Sequence, residues 1–238
     1  TYMFKAIDFD VDDILYDLKT WFNEAIKQIF SNDVDSNLIN KILSNYVQQE
    51  QLVVAKNNLD NQFQLSKTDI SFHCLHHSFK EFNLDGLTQK KAEDFWQLYS
   101  KFSQDIQLFD GLTHVFNKLI EKFKLGIITN GSTENQLSKI TRLNLQHWFD
   151  RESIITSEDA NAKKPDPMIF TLMNRKFELR GNEMMYVGSS YLNDIVPAKR
   201  AGWQTVWYNN HDGSIIDQNI IPDQTVNNSE QLQELLLE

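Results

Sequence analysis

Three carboxylates within four residues, Asp10, Asp12 and Asp13, end a short and mostly apolar run from Phe4 to Phe9. The run reads as a buried strand whose carboxyl end delivers acids to one spot. A carboxylate such as Asp10 can attack a phosphoryl phosphorus and hold the group covalently. A second one, Asp12, can protonate the leaving oxygen and later take a proton from the hydrolytic water. Alone, an acidic cluster after a strand is more often a solvated loop or a helix cap. Asp8 pairs with Asp10 in another Asp-x-Asp spacing and lies inside the strand, where a carboxylate needs a partner or a proton.

Three further stretches could serve the same chemistry. Thr129-Asn130-Gly131-Ser132 follows a strand pattern and precedes a helix, so a hydroxyl and free backbone N–H groups would form an anion site. Lys164, in Lys-Pro-Asp-Pro, offers a compact cation suited to a phosphate or to an anionic nucleophile. Gly188-Ser189-Ser190-Tyr191-Leu192-Asn193-Asp194 places a carboxylate at a helix start, where Asp194 is either a hard-metal ligand or a cap. Each stretch has an ordinary structural reading: a strand-to-helix turn, a surface lysine before a proline-opened helix, a helix cap. His73, Cys74, His76 and His77 also cluster, with His73 and His77 at i, i+4, but no acid sits between them and a polar stripe on a helix is the preferred reading.

The elements that must position these groups alternate. After Phe109-Asp110-Gly111, helix patterns over Val115–Phe123, Gln136–Leu143, Pro167–Lys176 and Asn193–Ala201 alternate with strand patterns over Leu125–Thr129, Ile154–Thr156, Met184–Val187 and Thr205–Trp207. Asp166 is the expected N-cap of the helix opened by Pro167, and Asn228 with Gln231 can form a capping box for a last helix through Leu237. Such alternation implies a doubly wound parallel sheet in an α/β fold, with ligands outside the carboxyl ends of the strands. Between about Leu18 and Phe102 glycine nearly vanishes, and apolar residues recur at helical spacing, as in Trp21, Phe22, Ala25, Ile26, Ile29 and Phe30. This stretch is expected to be an all-helical insert, so the core domain is 1–17 with 103–238 and the inserted domain is 18–102. Trp21, Phe22 and Phe30 read as core rather than as a stacking platform; Trp96 and Tyr99 carry the same two readings, since an aromatic of the insert could stack on a substrate base.

The 238-residue chain carries a net charge of −10, which excludes a nucleic-acid polymer or an anionic membrane as the main partner. A single cysteine, Cys74, precludes an intramolecular disulfide and points to a reducing, cytoplasmic setting. No apolar run reaches the roughly 20 residues of a spanning helix. Thr1-Tyr2-Met3 opens no secretory signal pattern, and a start other than Met suggests trimming.

The order of the motifs carries a resemblance. Phe9-Asp10-Val11-Asp12-Asp13-Ile14-Leu15 resembles the first motif of the haloacid dehalogenase superfamily, Thr129 the second, Lys164 the third, and Gly188 to Asp194 the fourth. Asp10 and Asp12 are preferred to Asp8 and Asp10 because Asp13-Ile14-Leu15 then falls where the family has Asp-Thr-Leu. The insert is placed and composed like the family's helical cap. The resemblance implies a Mg²⁺-dependent phosphomonoesterase acting on a small phosphorylated metabolite, as monomer or homodimer. Asp10 would be the nucleophile and Asp12 the general acid/base. Mg²⁺ would lie among the Asp10 carboxylate, the Asp12 main-chain carbonyl and Asp194. Thr129, the N–H groups of Asn130 and Gly131, and Lys164 would hold the phosphoryl group.

Ile128-Thr129-Asn130-Gly131 with Gln136, Trp207-Tyr208-Asn209 and Ile220-Ile221-Pro222 resemble the pyrimidine 5′-nucleotidase subgroup, implying a nucleoside 5′-monophosphate. Two positions depart from the family pattern: Ser189 stands where a metal-ligand Asp is usual, and Ile14 where Thr is. Ser189 keeps open a catalytically weakened phospholigand-binding protein. Hydrolytic dehalogenation is a further alternative, against which Asp12 argues, since a halide leaving group needs no paired acid.

Overall fold

A computed structural model of the chain describes residues 4–30, 35–59, 65–102 and 105–238; Thr1-Tyr2-Met3 and parts of the insert lie outside the described residues. The chain forms two compact units, one of residues 1–16 and 107–238, the other of 17–106.

The first unit opens with β1 (Ala6–Phe9), every residue of which is buried. The second holds α1 (Lys19–Phe30), α2 (Ser36–Leu59), α3 (Lys67–Glu81) and α4 (Gln89–Phe102). Asp17 Oδ1 accepts the N–H of Lys19 at 2.7 Å and so caps α1. A capping box between Ser66 and Asp69 opens α3. The four helices share an apolar core of Phe22, Ile26, Ile42, Tyr46, Leu75 and Phe95, among others. Phe22 sits edge-on to Tyr46 and Phe95 at 5.1 and 5.2 Å between centroids, as aromatic quadrupoles prefer. Tyr99 stacks on Phe95 at 5.6 Å and meets Trp96 edge-on at 6.2 Å inside this unit. α2 runs well beyond the apolar stretch Ile39–Tyr46 that signals it, because its second half is too polar to show a periodic stripe. His77 Nδ1 lies 3.1 Å from Asn45 Oδ1, and Cys74 is buried. No three His, Cys, Asp or Glu side chains gather in a metal-ligating group among the described residues.

The chain then returns to the first unit through α5 (Leu112–Leu119), β2 (Lys124–Thr129), α6 (Thr133–Arg142), β3 (Ile154–Thr156), α7 (Ser157–Ala160), α8 (Met168–Phe177), β4 (Met184–Gly188), α9 (Val196–Arg200), β5 (Gln204–Tyr208), β6 (Gln224–Val226) and α10 (Ser229–Leu237). All pairings are parallel, in the order β3-β2-β1-β4-β5-β6. The doubly wound parallel sheet expected from the alternation is therefore the observed architecture. β6 was not expected, since its three residues are mostly exposed and carry no apolar alternation.

Two of the expected caps differ in detail. α8 begins at Met168 with Pro167 before it, and Asp166 Oδ1 accepts the Met168 N–H at 2.9 Å. Asn228 caps Gln231, but the reciprocal bond from Gln231 Oε1 goes to the N–H of Asn227.

β1 lies mid-sheet, and its alternate residues enter opposite layers. Phe9 packs edge-on against Phe116 and Phe149 on one side. On the other, Ala6 joins the core of Ile128, Ile169, Phe170, Met173, Tyr186 and Trp203. Asp8 faces this second layer, fully buried, and neither carboxyl oxygen has a hydrogen-bond partner among the described residues. Burial pushes its pKa well above the usual carboxylate range, so Asp8 answers its placement with a proton rather than a partner. A side chain on Gly126, the register partner of Asp8, would place Cβ 1.9 Å from Asp8 Oδ1, so glycine is required there.

The raised pKa of Asp8 has a consequence for stability. The unfolded carboxyl releases its proton near pH 4, whereas the folded one keeps it, so stability falls as pH rises above that point. The slope is about 1.4 kcal/mol per pH unit until the folded pKa is passed. Asp8→Asn removes the titration at nearly constant shape. Urea unfolding from pH 4 to 8 should show Asp8→Asn gaining on the wild type as pH rises; parallel curves would show that Asp8 is charged in the folded protein.

Candidate active site

The sheet order brings the ends of β2, β1 and β4 side by side. At the end of β1 the backbone N–H of Asp10 donates to the Val187 carbonyl at 3.0 Å, extending the β1–β4 ladder by one residue. The Val11 N–H then donates to Asp10 Oδ1 at 2.8 Å. These two bonds fix the carboxyl at the strand end.

Lys164 meets it. Its ammonium lies 3.1 Å from Asp10 Oδ2 and 2.6 Å from Asp194 Oδ1, and donates to the Tyr186 hydroxyl at 2.9 Å. The side chain is only 2% exposed. Burial alone would lower the lysine pKa, but Asp10 and Asp194 outweigh it and hold the pKa above its ordinary value. The ammonium is therefore permanent. The Tyr186 hydroxyl donates in turn to the Ile128 carbonyl at 2.8 Å, so the lysine rests on a chain of bonds rooted in the sheet.

Asn130 positions the lysine's backbone. Its side-chain amide donates to the Lys164 carbonyl and accepts the Lys164 N–H, both at 2.9 Å, in a closed two-bond ring. Asp194 is placed by a different device. Residues Tyr191–Ile195 form a π-helical turn in which the N–H of Ile195 reaches Ser190 O. The expected α-helix starts only after it, at Val196. Such widened turns recur at functional sites because they re-aim a side chain. The Ser190 N–H donates to Asp194 Oδ2 at 2.8 Å, completing the carboxylate's orientation. Gly188 allows this approach, since a Cβ there would lie 2.3 Å from that of Asp194.

Two expected phosphate ligands are engaged otherwise. The buried Thr129 hydroxyl donates to Gln136 Oε1 at 3.2 Å, and Gln136 in turn donates to Asn130 O at 3.1 Å. The Gly131 N–H donates to Ser157 Oγ at 2.9 Å. Asp12 is not turned toward Asp10: its Oδ1 accepts Lys139 Nζ at 2.7 Å and the Tyr16 hydroxyl. Lys139 and Tyr16 lie outside every sequence motif, though Lys139 falls on the same helix as Gln136.

Asp13 was passed over too. It adopts a left-handed backbone (φ 62°) and is tied to His211 and Asn210, beyond β5. The Trp207 indole donates to Ser189 O at 2.9 Å, and the Tyr191 hydroxyl reaches the carbonyls of Asp217 and Ile220. The stretches Trp207–Asn209 and Ile220–Pro222 thus brace the turn that carries Asp194.

The electrostatics favour a cation. Burial, then the neighbouring Asp194 and Asp12, push the Asp10 pKa up to about 7 despite the opposing pull of Lys164. Asp10 and Asp194 could supply hard carboxylate oxygens to such an ion. A small divalent ion that keeps several waters is served by such a set. Ser189 contributes only a neutral hydroxyl where a further carboxylate would bind more tightly.

Lys164→Met keeps the stem and deletes the charge, leaving two buried carboxylates uncompensated. Urea unfolding at pH 8 should show a loss of roughly 3–5 kcal/mol, shrinking toward pH 5 as Asp10 takes up a proton. A loss that does not change with pH would mean that packing, not charge, is the lysine's contribution.

The chain matches the haloacid dehalogenase-like hydrolase family over residues 7–208. A glyceraldehyde 3-phosphate phosphatase of Methanopyrus kandleri is 28% identical over 86% of this chain and 83% of its own. The pyrimidine 5′-nucleotidase YjjG of Escherichia coli is 31% identical over 53% of this chain, which spans only 55% of that relative. Among solved structures, the magnesium-bound HAD-hydrolase YfnB of Bacillus subtilis superposes with a TM-score of 0.67 at 21% identity, covering 100% of both chains, and so shares the fold. No described helix is long and apolar enough to cross a membrane. With Asp10, Lys164 and Asp194 brought together and the match running from residue 7 to 208, most of the chain, this chain belongs to the haloacid dehalogenase-like hydrolases and is an enzyme of that family.

Proposed function

We propose that the enzyme is a phosphomonoesterase that works through an aspartyl phosphate on Asp10. The observation that carries this reading is the buried ammonium of Lys164 held between Asp10 and Asp194. An anionic nucleophile repels an anionic phosphate, and a fixed cation beside the nucleophile offsets that repulsion. In the first half-reaction an Asp10 carboxylate oxygen attacks phosphorus and the ester P–O bond breaks. The proton of Asp12 passes to the departing oxygen and releases an alcohol. In the second, water attacks the aspartyl phosphate, gives a proton to Asp12, and phosphate leaves. Lys164 neutralises phosphoryl charge throughout. Thr129 and Gly131 would trade their bonds to Gln136 and Ser157 for phosphate oxygens, while Asn130 keeps the lysine backbone in place.

Mg²⁺ held by the Asp10 carboxylate, the Asp12 carbonyl and Asp194 would supply charge neutralisation. The donor set fits it, with an affinity that Ser189 lowers. The substrate is a small phosphorylated metabolite, as the names of the relatives suggest, and a nucleoside 5′-monophosphate is the finer reading supported by the resemblance to YjjG. The inserted helical unit is the family's cap by its place in the chain. The net charge of −10 and the lone buried Cys74 suit the cytoplasm. Ser189 supports a second reading, a binding protein of weakened turnover.

Phosphate release from nucleoside monophosphates, sugar phosphates and an aryl phosphate, with Mg²⁺ and with chelator, tests the reading. Metal-dependent release that Asp10→Asn abolishes is expected, and retained turnover in that variant would sink the assignment. Ser189→Asp should lower the Mg²⁺ concentration giving half-maximal rate by about tenfold, a change worth some 1.4 kcal/mol. If only Ser189→Asp turns over, the second reading holds.

A further inference from the structure

We infer that Lys139 and Tyr16 are positioning residues for the general acid/base, acting together on one oxygen of Asp12. The inference rests on the role proposed for Asp12 and names the groups that make it possible.

The Asp12 side chain is 38% exposed, so packing alone does not fix its rotamer. Two donors from different elements do. Lys139, on α6, reaches Oδ1 at 2.7 Å and is itself 25% exposed. The Tyr16 hydroxyl, on a buried ring four residues along the chain from Asp12, reaches the same atom. An oxygen that accepts two hydrogen bonds has both lone pairs occupied. The proton moved in catalysis must then reside on Oδ2. The pair therefore fixes the carboxyl plane and selects its proton-bearing atom. When Oδ2 gives its proton to the leaving oxygen, a full negative charge forms on Asp12, and the Lys139 ammonium is already beside it. Such an exposed ion pair contributes little to stability, which leaves orientation as its main effect. Nothing in the first, third or fourth motif announces it. α6 brings Lys139 to Asp12 because the helix starts directly after the Thr129–Ser132 turn, so one helix both caps the phosphate end and reaches the acid.

The role predicts a dependence on the leaving group that neither binding nor folding would produce. General acid catalysis matters most when the departing alkoxide is a strong base, and little when it is a nitrophenolate. The measurement is kcat/KM for a series of phosphate monoesters, from alkyl to nitrophenyl, in wild type, Lys139→Met, Lys139→Arg, Tyr16→Phe and Asp12→Asn, with a thermal melt of each. Lys139→Met should lose about 10²-fold on the alkyl esters and about tenfold less on the nitrophenyl ester. Its plot against leaving-group pKa should be steeper than that of wild type. Lys139→Arg should restore the slope in part, and Tyr16→Phe should steepen it modestly.

An equal loss on every ester in Lys139→Met, or no loss, overturns the inference while leaving Asp12 as the acid, provided Asp12→Asn shows the steep slope. If Asp12→Asn matches the wild-type slope, the role of Asp12 itself is wrong and this one falls with it. Wild type inactive on all the esters overturns the phosphatase reading and the inference together. Should Lys139→Met melt early, the comparison of Lys139→Arg with wild type carries the same test.

Discussion

The architecture answers to one electrostatic demand: Asp10 and Asp194 must face each other in a buried place without repelling the fold apart. Lys164 meets it, and most of what surrounds the site serves to hold that lysine. Its ammonium is braced by Tyr186, its backbone by Asn130, and its two carboxylates by N–H groups of Val11 and Ser190. A buried ion cluster of this kind adds little to stability compared with an apolar filling, so its persistence is explained by chemistry. The same demand accounts for Gly188, which admits Asp194 where a Cβ would exclude it; Gly126 makes the corresponding room for Asp8, outside the cluster.

Much of this was legible in the residues. Strand ends announce themselves by apolar runs that stop at polar residues, and Asp10, Thr129 and the Gly188–Asp194 loop all follow such stops, whereas Lys164 sits in the loop between α7 and α8. Their convergence follows from the parallel sheet, which the alternation of strand and helix patterns implied. What stayed hidden depends on rotation and reach. Lys139 and Tyr16 look like surface and core residues until α6 and the first loop are placed together. The bond of Gly131 to Ser157 joins residues 26 apart through β3, and no local pattern encodes it. The turn at Tyr191–Ile195 carries the periodicity of an ordinary helix, so its π geometry could not be read. β6 and the second half of α2 escaped for a simpler reason: short exposed strands and polar helix turns lack an apolar stripe.

Ser189 and Asp8 show opposite ways of departing from an expected pattern. Ser189 puts a neutral hydroxyl in the loop after β4, and the Asp10 pKa of about 7 reflects burial first and the neighbouring Asp194 and Asp12 only after it. Asp8 adds an acid where an apolar residue would pack, and burial neutralises it by protonation. The first alters how firmly a cation is held; the second alters the stability of the sheet beneath. Because Asp10 continues the face of β1 that Asp8 occupies, a neutral acid lies below the carboxyl paired with Lys164, and Tyr186 stands beside both.

The sheet order also has a meaning in time. β1 precedes both of its neighbours in the chain: β2 follows only after the whole insert, and β4 later still, beyond α8. Until then the strand's backbone donors and acceptors are unmatched, and such long-range pairing is slow to form and open to wrong partners. Asp13 waits longer still, for His211. The Asp10 carboxyl therefore stays without Lys164 and Asp194 until β4 has found β1, so pairing of the central strands and assembly of the ion cluster are one event.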